Sequence, residues 1–168
     1  CSARTRPNDM QFDVAALGRT LNTESEALNA FITLLREEQQ ALVRGDLERL
    51  ASFAESKTIH LFELTRLGEQ RLQWLREKGL TADRTGMDRL LREHAGRAPQ
   101  AHAAWQQLTE LTKTAQHLNE TNGTLIRTRL TTAQRALGVL LSAANIAGAY
   151  AADGSTVCYR TPQQLAVA

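Results

Sequence analysis

Half-cystines, prolines, aromatics and a charge of one sign are all scarce in this chain. There are two cysteines, at positions 1 and 158, and they lie at opposite ends of 168 residues. That spacing gives no disulfide framework and suits a reducing compartment. Aromatic residues make up 5% of the chain, and Val, Ile and Tyr are too few for a β-sandwich. Glycine and proline together are 13 residues, too few for a collagenous or low-complexity chain. The net charge is only +2. Residues 1–120 balance to −1, and residues 121–168 carry Arg127, Arg129, Arg135 and Arg160 against Asp153. A nucleic-acid binder concentrates more cations than this on one face, so no nucleic-acid partner is expected.

No long hydrophobic run exists either. The longest uncharged stretch is Ala136 to Ala152, and Ser142, Asn145 and Gly148 make it too short and too polar to span a bilayer. The chain starts at Cys1, and mature lipoproteins also start on cysteine. The simpler expectation is that residues 1–9 precede a start at Met10.

What the chain does have is Leu, Ala, Arg, Glu and Gln, the residues of long helices. A first helix is predicted from Asp13 to Arg44. Its stripe of Leu17, Leu21, Leu28, Phe31, Leu35 and Leu42 advances in steps of 4, 7, 3, 4 and 7. Gly45-Asp46 then reads as a helix stop followed by an N-cap, a tight turn between antiparallel helices, with a simple kink as the alternative. A second helix is predicted from Asp46 to Lys78, with a stripe of Leu47, Leu50, Ala54, Leu61, Leu64, Gly68, Leu72 and Leu75. Gly79 ends it, and Thr81-Ala82-Asp83 caps a short helix over 83–96 that turns Met87, Leu90 and Leu91 inward.

Pro99 opens the last helix at the first-turn position, where a missing N–H costs nothing. Its stripe of Leu108, Leu111, Ala115, Leu118, Asn122, Leu125, Arg129, Ala136, Leu140 and Ala144 keeps phase through Asn122-Gly123. The helix is therefore expected to continue to about Tyr150. The fold class that follows is all-α: an elongated antiparallel bundle of three long helices and one short one, packed like a coiled coil. Residues 1–12 read as a disordered extension, 13–150 as the bundle and 151–168 as a mobile tail. Asn122 is a polar residue in an apolar stripe. Buried, it would fix helix register; at a kink, it would face solvent.

If Trp74 and Trp105 share one end of the bundle, Asp46 falls level with about residue 133. Beyond that level the last helix has no second-helix partner, yet it is the most apolar stretch of the chain. Ala136, Leu137, Leu140, Leu141 and Ala144 are thus candidate binding residues. Chemistry is correspondingly thin. Lys57, Leu91, Pro99 and Thr114 stand three residues before the four histidines, so the Glu-x-x-His pairs of a di-iron bundle are missing. No nucleophile elbow, zinc spacing or phosphate loop occurs. Neither an enzyme, a cofactor, a metal nor a small-molecule substrate is expected.

Three motifs, in order, carry a family likeness. Ala41-Leu42-Val43-Arg44-Gly45-Asp46-Leu47 marks the first break. Leu118-Asn119-Glu120-Thr121-Asn122-Gly123-Thr124-Leu125 is followed by Gln134-Arg135-Ala136-Leu137. Tyr150-Ala151-Ala152-Asp153-Gly154-Ser155-Thr156 closes the series. From about Phe12 to Thr156 the chain resembles the FlgN family of flagella synthesis proteins. Its departures are the N-terminal extension and a longer segment at 83–96.

The resemblance implies a cytoplasmic type III export chaperone. Such a protein would hold the hook–filament junction proteins by their C-terminal helices and deliver them to a membrane export gate. It also implies client contacts at Leu137, Leu140 and Leu141, gate contacts at Tyr150, Asp153 and Gly154, and family-motif roles for Asn119, Asn122 and Gly123. Two other readings fit the residues. One is a coiled-coil adaptor whose apolar stripe pairs with its own copy, a homo-oligomer. The other is a helical ligand-sensing domain, lipid-anchored through Cys1.

Overall fold

In the computed structural model the described residues are 14–46, 48–94, 96 and 99–148, the first two and last five of them by backbone alone. The terminal segments read as extension and tail lie outside them. The described residues form four helices: α1 (Val14–Arg44), α2 (Glu48–Glu77), α3 (Arg84–Glu93) and α4 (Pro99–Gly148). No strand occurs among the described residues. The protein is all-α, and the chain falls into two compact units that divide between Leu125 and Ile126.

The helix ends follow local chemistry. Gly45 takes φ 81° and Gly79 takes φ 67°, a left-handed conformation that glycine adopts without a Cβ penalty. At the first stop, the Asp46 N–H donates to the Ala41 carbonyl at 3.0 Å; at the second, the Leu80 N–H donates to Leu75 at 3.0 Å. Both are the long-range bond of a Schellman motif, which satisfies carbonyls the helix leaves open. The Asp46 N–H thus belongs to the end of α1, and α2, expected from Asp46, runs from Glu48. Asp83 does cap α3. Its Oδ1 accepts from the Gly86 N–H and the Thr81 hydroxyl, each at 2.8 Å. The turn is tight enough that a Cβ on Gly86 would sit 1.9 Å from the Thr81 carbonyl oxygen.

In the first unit, α1 and α2 run antiparallel. The 14-residue separation of Glu24 and Glu38 on α1 matches that of Lys57 and Arg71 on α2, because Glu24 pairs with Arg71 and Glu38 with Lys57. The N-terminal part of α4 runs parallel to α1: Gly18 lies against Ala101, and Leu35 is bonded to Asn122. The core is formed by Leu17, Leu21, Phe31 and Leu35 of α1, Leu75 of α2, Met87, Leu90 and Leu91 of α3, and Ala104, Trp105 and Leu108 of α4. Trp74 packs at its edge, so the two tryptophans do share one cluster. The predicted α1 stripe is buried throughout.

The α2 stripe needs correcting. Its buried residues are Phe53, Leu67 and Leu75, while Ala54 and Leu61 are exposed. Apolar residues occupy more than one side of α2, so a 3–4 spacing could be threaded through the wrong set.

Candidate functional site

From Ile126 to Ala143, α4 leaves every side chain exposed except that of Arg129. Exposure thus sets in at Ile126. Leu130, Leu137 and Leu141 are each 57% exposed, Leu140 66% and Val139 69%. Single exposed leucines are ordinary, but five large apolar side chains within twelve residues of helix are not.

They are also ordered. Ile126, Leu130, Ala133, Leu137 and Leu140 advance in steps of 4, 3, 4 and 3, the spacing of a coiled-coil seam. Ala144 continues that spacing, although only its backbone is described. In sequence register this seam is one residue away from the spacing of Leu118, Asn122, Leu125 and Arg129, which would continue to Thr132, Ala136 and Val139. One residue is about 100° of helix rotation.

Between Thr121 and Ala152 the chain carries three arginines and no acid. The threonines are occupied locally: Thr121, Thr124, Thr131 and Thr132 each donate to the carbonyl four residues before. Among the described residues, no group of three His, Cys, Asp or Glu is placed to hold a metal ion. No helix of the described residues is long and apolar enough to cross a membrane.

The motif residues separate. Asn119 is exposed, Gly123 is half-buried and Asn122 is fully buried. The helix runs unbroken through Asn122-Gly123. Asn122 Nδ2 donates to the Leu35 carbonyl and to Glu38 Oε2, each at 2.8 Å. Glu38 in turn receives both its Lys57 contacts, at 3.1 and 3.2 Å. Tyr150, Asp153 and Gly154, the expected gate contacts, lie outside the described residues.

Glu38 and Glu24 were missed in the sequence. A signal for both was present. The two seven-residue steps of the α1 stripe, Leu21 to Leu28 and Leu35 to Leu42, each step over a heptad position, and Glu24 and Glu38 occupy those positions.

Comparison with known proteins decides the family. The profile of the family described as FlgN protein matches residues 10–157. The chain belongs to the FlgN family. The flagella synthesis protein FlgN of Proteus mirabilis is 32% identical over 117 residues, covering 68% of this chain and 73% of its own length. The crystal structure of a candidate flagella synthesis protein FlgN from Pseudomonas aeruginosa is 32% identical as well. It superposes with a TM-score of 0.58 over 69% of this chain and 90% of the other. FlgN membership gives the chain a flagellar role. The FlgN match takes in both units, including the exposed seam and the buried Asn122.

Proposed function

We propose that this FlgN-family chain is a cytoplasmic type III export chaperone for the hook-associated proteins of the hook–filament junction. It would bind their C-terminal helical ends, keep them from assembling early and pass them to the membrane export gate. The observation that carries this reading is the exposed 4-3-4-3 seam of Ile126, Leu130, Ala133, Leu137 and Leu140 with Leu141 beside it. A seam of that spacing accepts one amphipathic helix from another chain. Burying four leucines at about 1.5–3 kcal/mol each is enough to offset the cost of ordering two segments, without making release impossible. Arginines on the same segment favour a client helix with acidic flanks. No step of this function needs catalysis or a cofactor.

Gate docking is assigned to Tyr150 with Asp153 and Gly154, on the strength of the family motif alone. Tyrosine there offers a large apolar ring with a hydroxyl handle, a residue type enriched at interface centres.

The test is titration of the full chain with C-terminal fragments of the two junction proteins, against the double variant Leu137→Asp, Leu140→Asp. Client binding should disappear while helical circular dichroism persists. Retained binding, or collapse of the fold, would refute the assignment. The 4-3-4-3 spacing equally suits pairing with a second copy, the adaptor reading. That reading requires self-association that the same double variant abolishes and that no client is needed to produce.

A further inference from the structure

Helix α2 carries a second exposed apolar pair, on the side away from Phe53, Leu67 and Leu75. Ile59 is 71% and Phe62 73% exposed. Along the same stripe, four residues before Ile59 and four after Phe62, stand Glu55 and Arg66. The run Glu55, Ile59, Phe62, Arg66 therefore has steps of 4, 3 and 4 and an acid at one end with a base at the other. Arg66 makes a two-pronged contact with Glu63, at 2.9 and 2.6 Å, on the open surface. Glu55 has no hydrogen bond or ion pair among the described residues, and its side chain is exposed.

This run is complementary to its own reverse. Laid antiparallel on a second copy and centred between Ile59 and Phe62, it sets each Ile59 against the other copy's Phe62 and each Glu55 against the other copy's Arg66. The next positions out meet as Ser52 with Glu69 and Glu48 with Gln73. No like charges face each other. A parallel pairing would instead set Glu55 on Glu55 and Arg66 on Arg66, which is repulsive. We propose that the outer face of α2 is a self-docking surface that forms a two-fold antiparallel dimer, with Ile59 and Phe62 at its centre and Glu55–Arg66 pairs at both ends. A two-fold axis makes every such contact occur twice, so a small patch counts double. Four apolar side chains are few, so the dimer is weak and concentration-dependent.

Sedimentation of the full chain over a wide concentration series tests it. The wild-type chain should pass from monomer to dimer, and Phe62→Arg should stay monomeric throughout with unchanged circular dichroism. Glu55→Arg should weaken the dimer about tenfold at low salt, since two ion pairs become two repulsions. Glu55→Arg combined with Arg66→Glu should restore it, because the pairs re-form with their signs exchanged. Leu137→Asp with Leu140→Asp should leave the dimer intact, whatever it does to client binding. A wild-type chain that is monomeric at every concentration would overturn the proposal. So would a dimer that ignores Phe62→Arg, or one that is lost only in the Leu137, Leu140 variant.

Discussion

Asn122 and Glu38 are 84 residues apart in the chain and 2.8 Å apart in the fold, joined by the Asn122 amide N–H and the Glu38 carboxylate. Both are buried, and the same amide also donates to the Leu35 carbonyl. With both bonds needing a donor, the orientation of the amide is fixed, and Asn122 Oδ1 is left without a partner. A polar group in that state detracts from stability, yet it permits only one axial register between α1 and α4. Asn122→Asp would turn both acceptors toward a third acceptor and bury an unpaired charge. It is expected to destabilise the fold by about 3–5 kcal/mol in denaturant titration. Pairing it with Glu38→Gln, whose amide can donate back, should recover part of that loss in a double-mutant cycle. Purely additive costs would mean that the two side chains are not coupled.

Glu24 and Arg71 form the second cross-link of α1 to α2, with a two-pronged contact at 2.9 and 3.2 Å. The guanidinium also stacks over Trp105, 5.3 Å from the ring centroid, so it joins α4 to the pair. Arg71→Ala leaves Glu24 buried without its partner and should cost about 3–5 kcal/mol. Arg71→Lys keeps the charge but loses the planar fork and the stacking, and should still cost about 1–2 kcal/mol. Tryptophan fluorescence should shift in both variants. Thermal stability within error of wild type for Arg71→Lys would show that charge alone matters.

The cap of α3 gives a pH dependence of known sign. The Gly86 N–H, and after it the Thr81 hydroxyl, hold the Asp83 carboxyl below the usual carboxylate range. A carboxyl lowered in the folded state stabilises above its unfolded pKa, about 3.9, and that contribution is lost as pH falls through the folded value. Asp83→Asn caps almost as well but cannot ionise. Its stability should match wild type near neutral pH, and its unfolding curve should be flatter below about pH 4. Equal acid slopes for the two chains would contradict this account.

How much of this was readable in advance differs by helix. Gly45, Gly79, Asp83 and Pro99 announced the helix ends because each acts on its own backbone, which needs no tertiary knowledge. The α1 stripe was legible because one face alone is apolar. The α2 stripe was not, because Ile59, Leu61 and Phe62 are apolar yet exposed, and spacing does not tell an inward face from an outward one. Glu24 and Glu38 showed only as gaps in a stripe; their partners, Arg71 and Lys57, are set by helix register rather than by any local pattern. The apolar run after Arg135 was visible by composition, and its exposure agrees with its lack of a second-helix partner. Leu137, Leu140 and Leu141 stood out there, whereas Leu130, before that run and beyond Arg129, did not.

Gly138 sits inside that seam and provides the sharpest test of it. Its Cα lies in an exposed helix, and a Cβ there would meet nothing within 4 Å. Glycine is about 1 kcal/mol worse than alanine in a helix interior, because it has more backbone freedom to lose. Gly138→Ala should therefore slow amide exchange across residues 130–143. If clients dock on the Leu137–Leu140 face and need that segment helical, part of the ordering cost is removed beforehand, and affinity should rise up to about fivefold. The added methyl stands on neither leucine, so it does not obstruct the seam. Slower exchange together with weaker client binding would mean that the client closes onto the bare glycine backbone, and that the helix meets its partner on a different face.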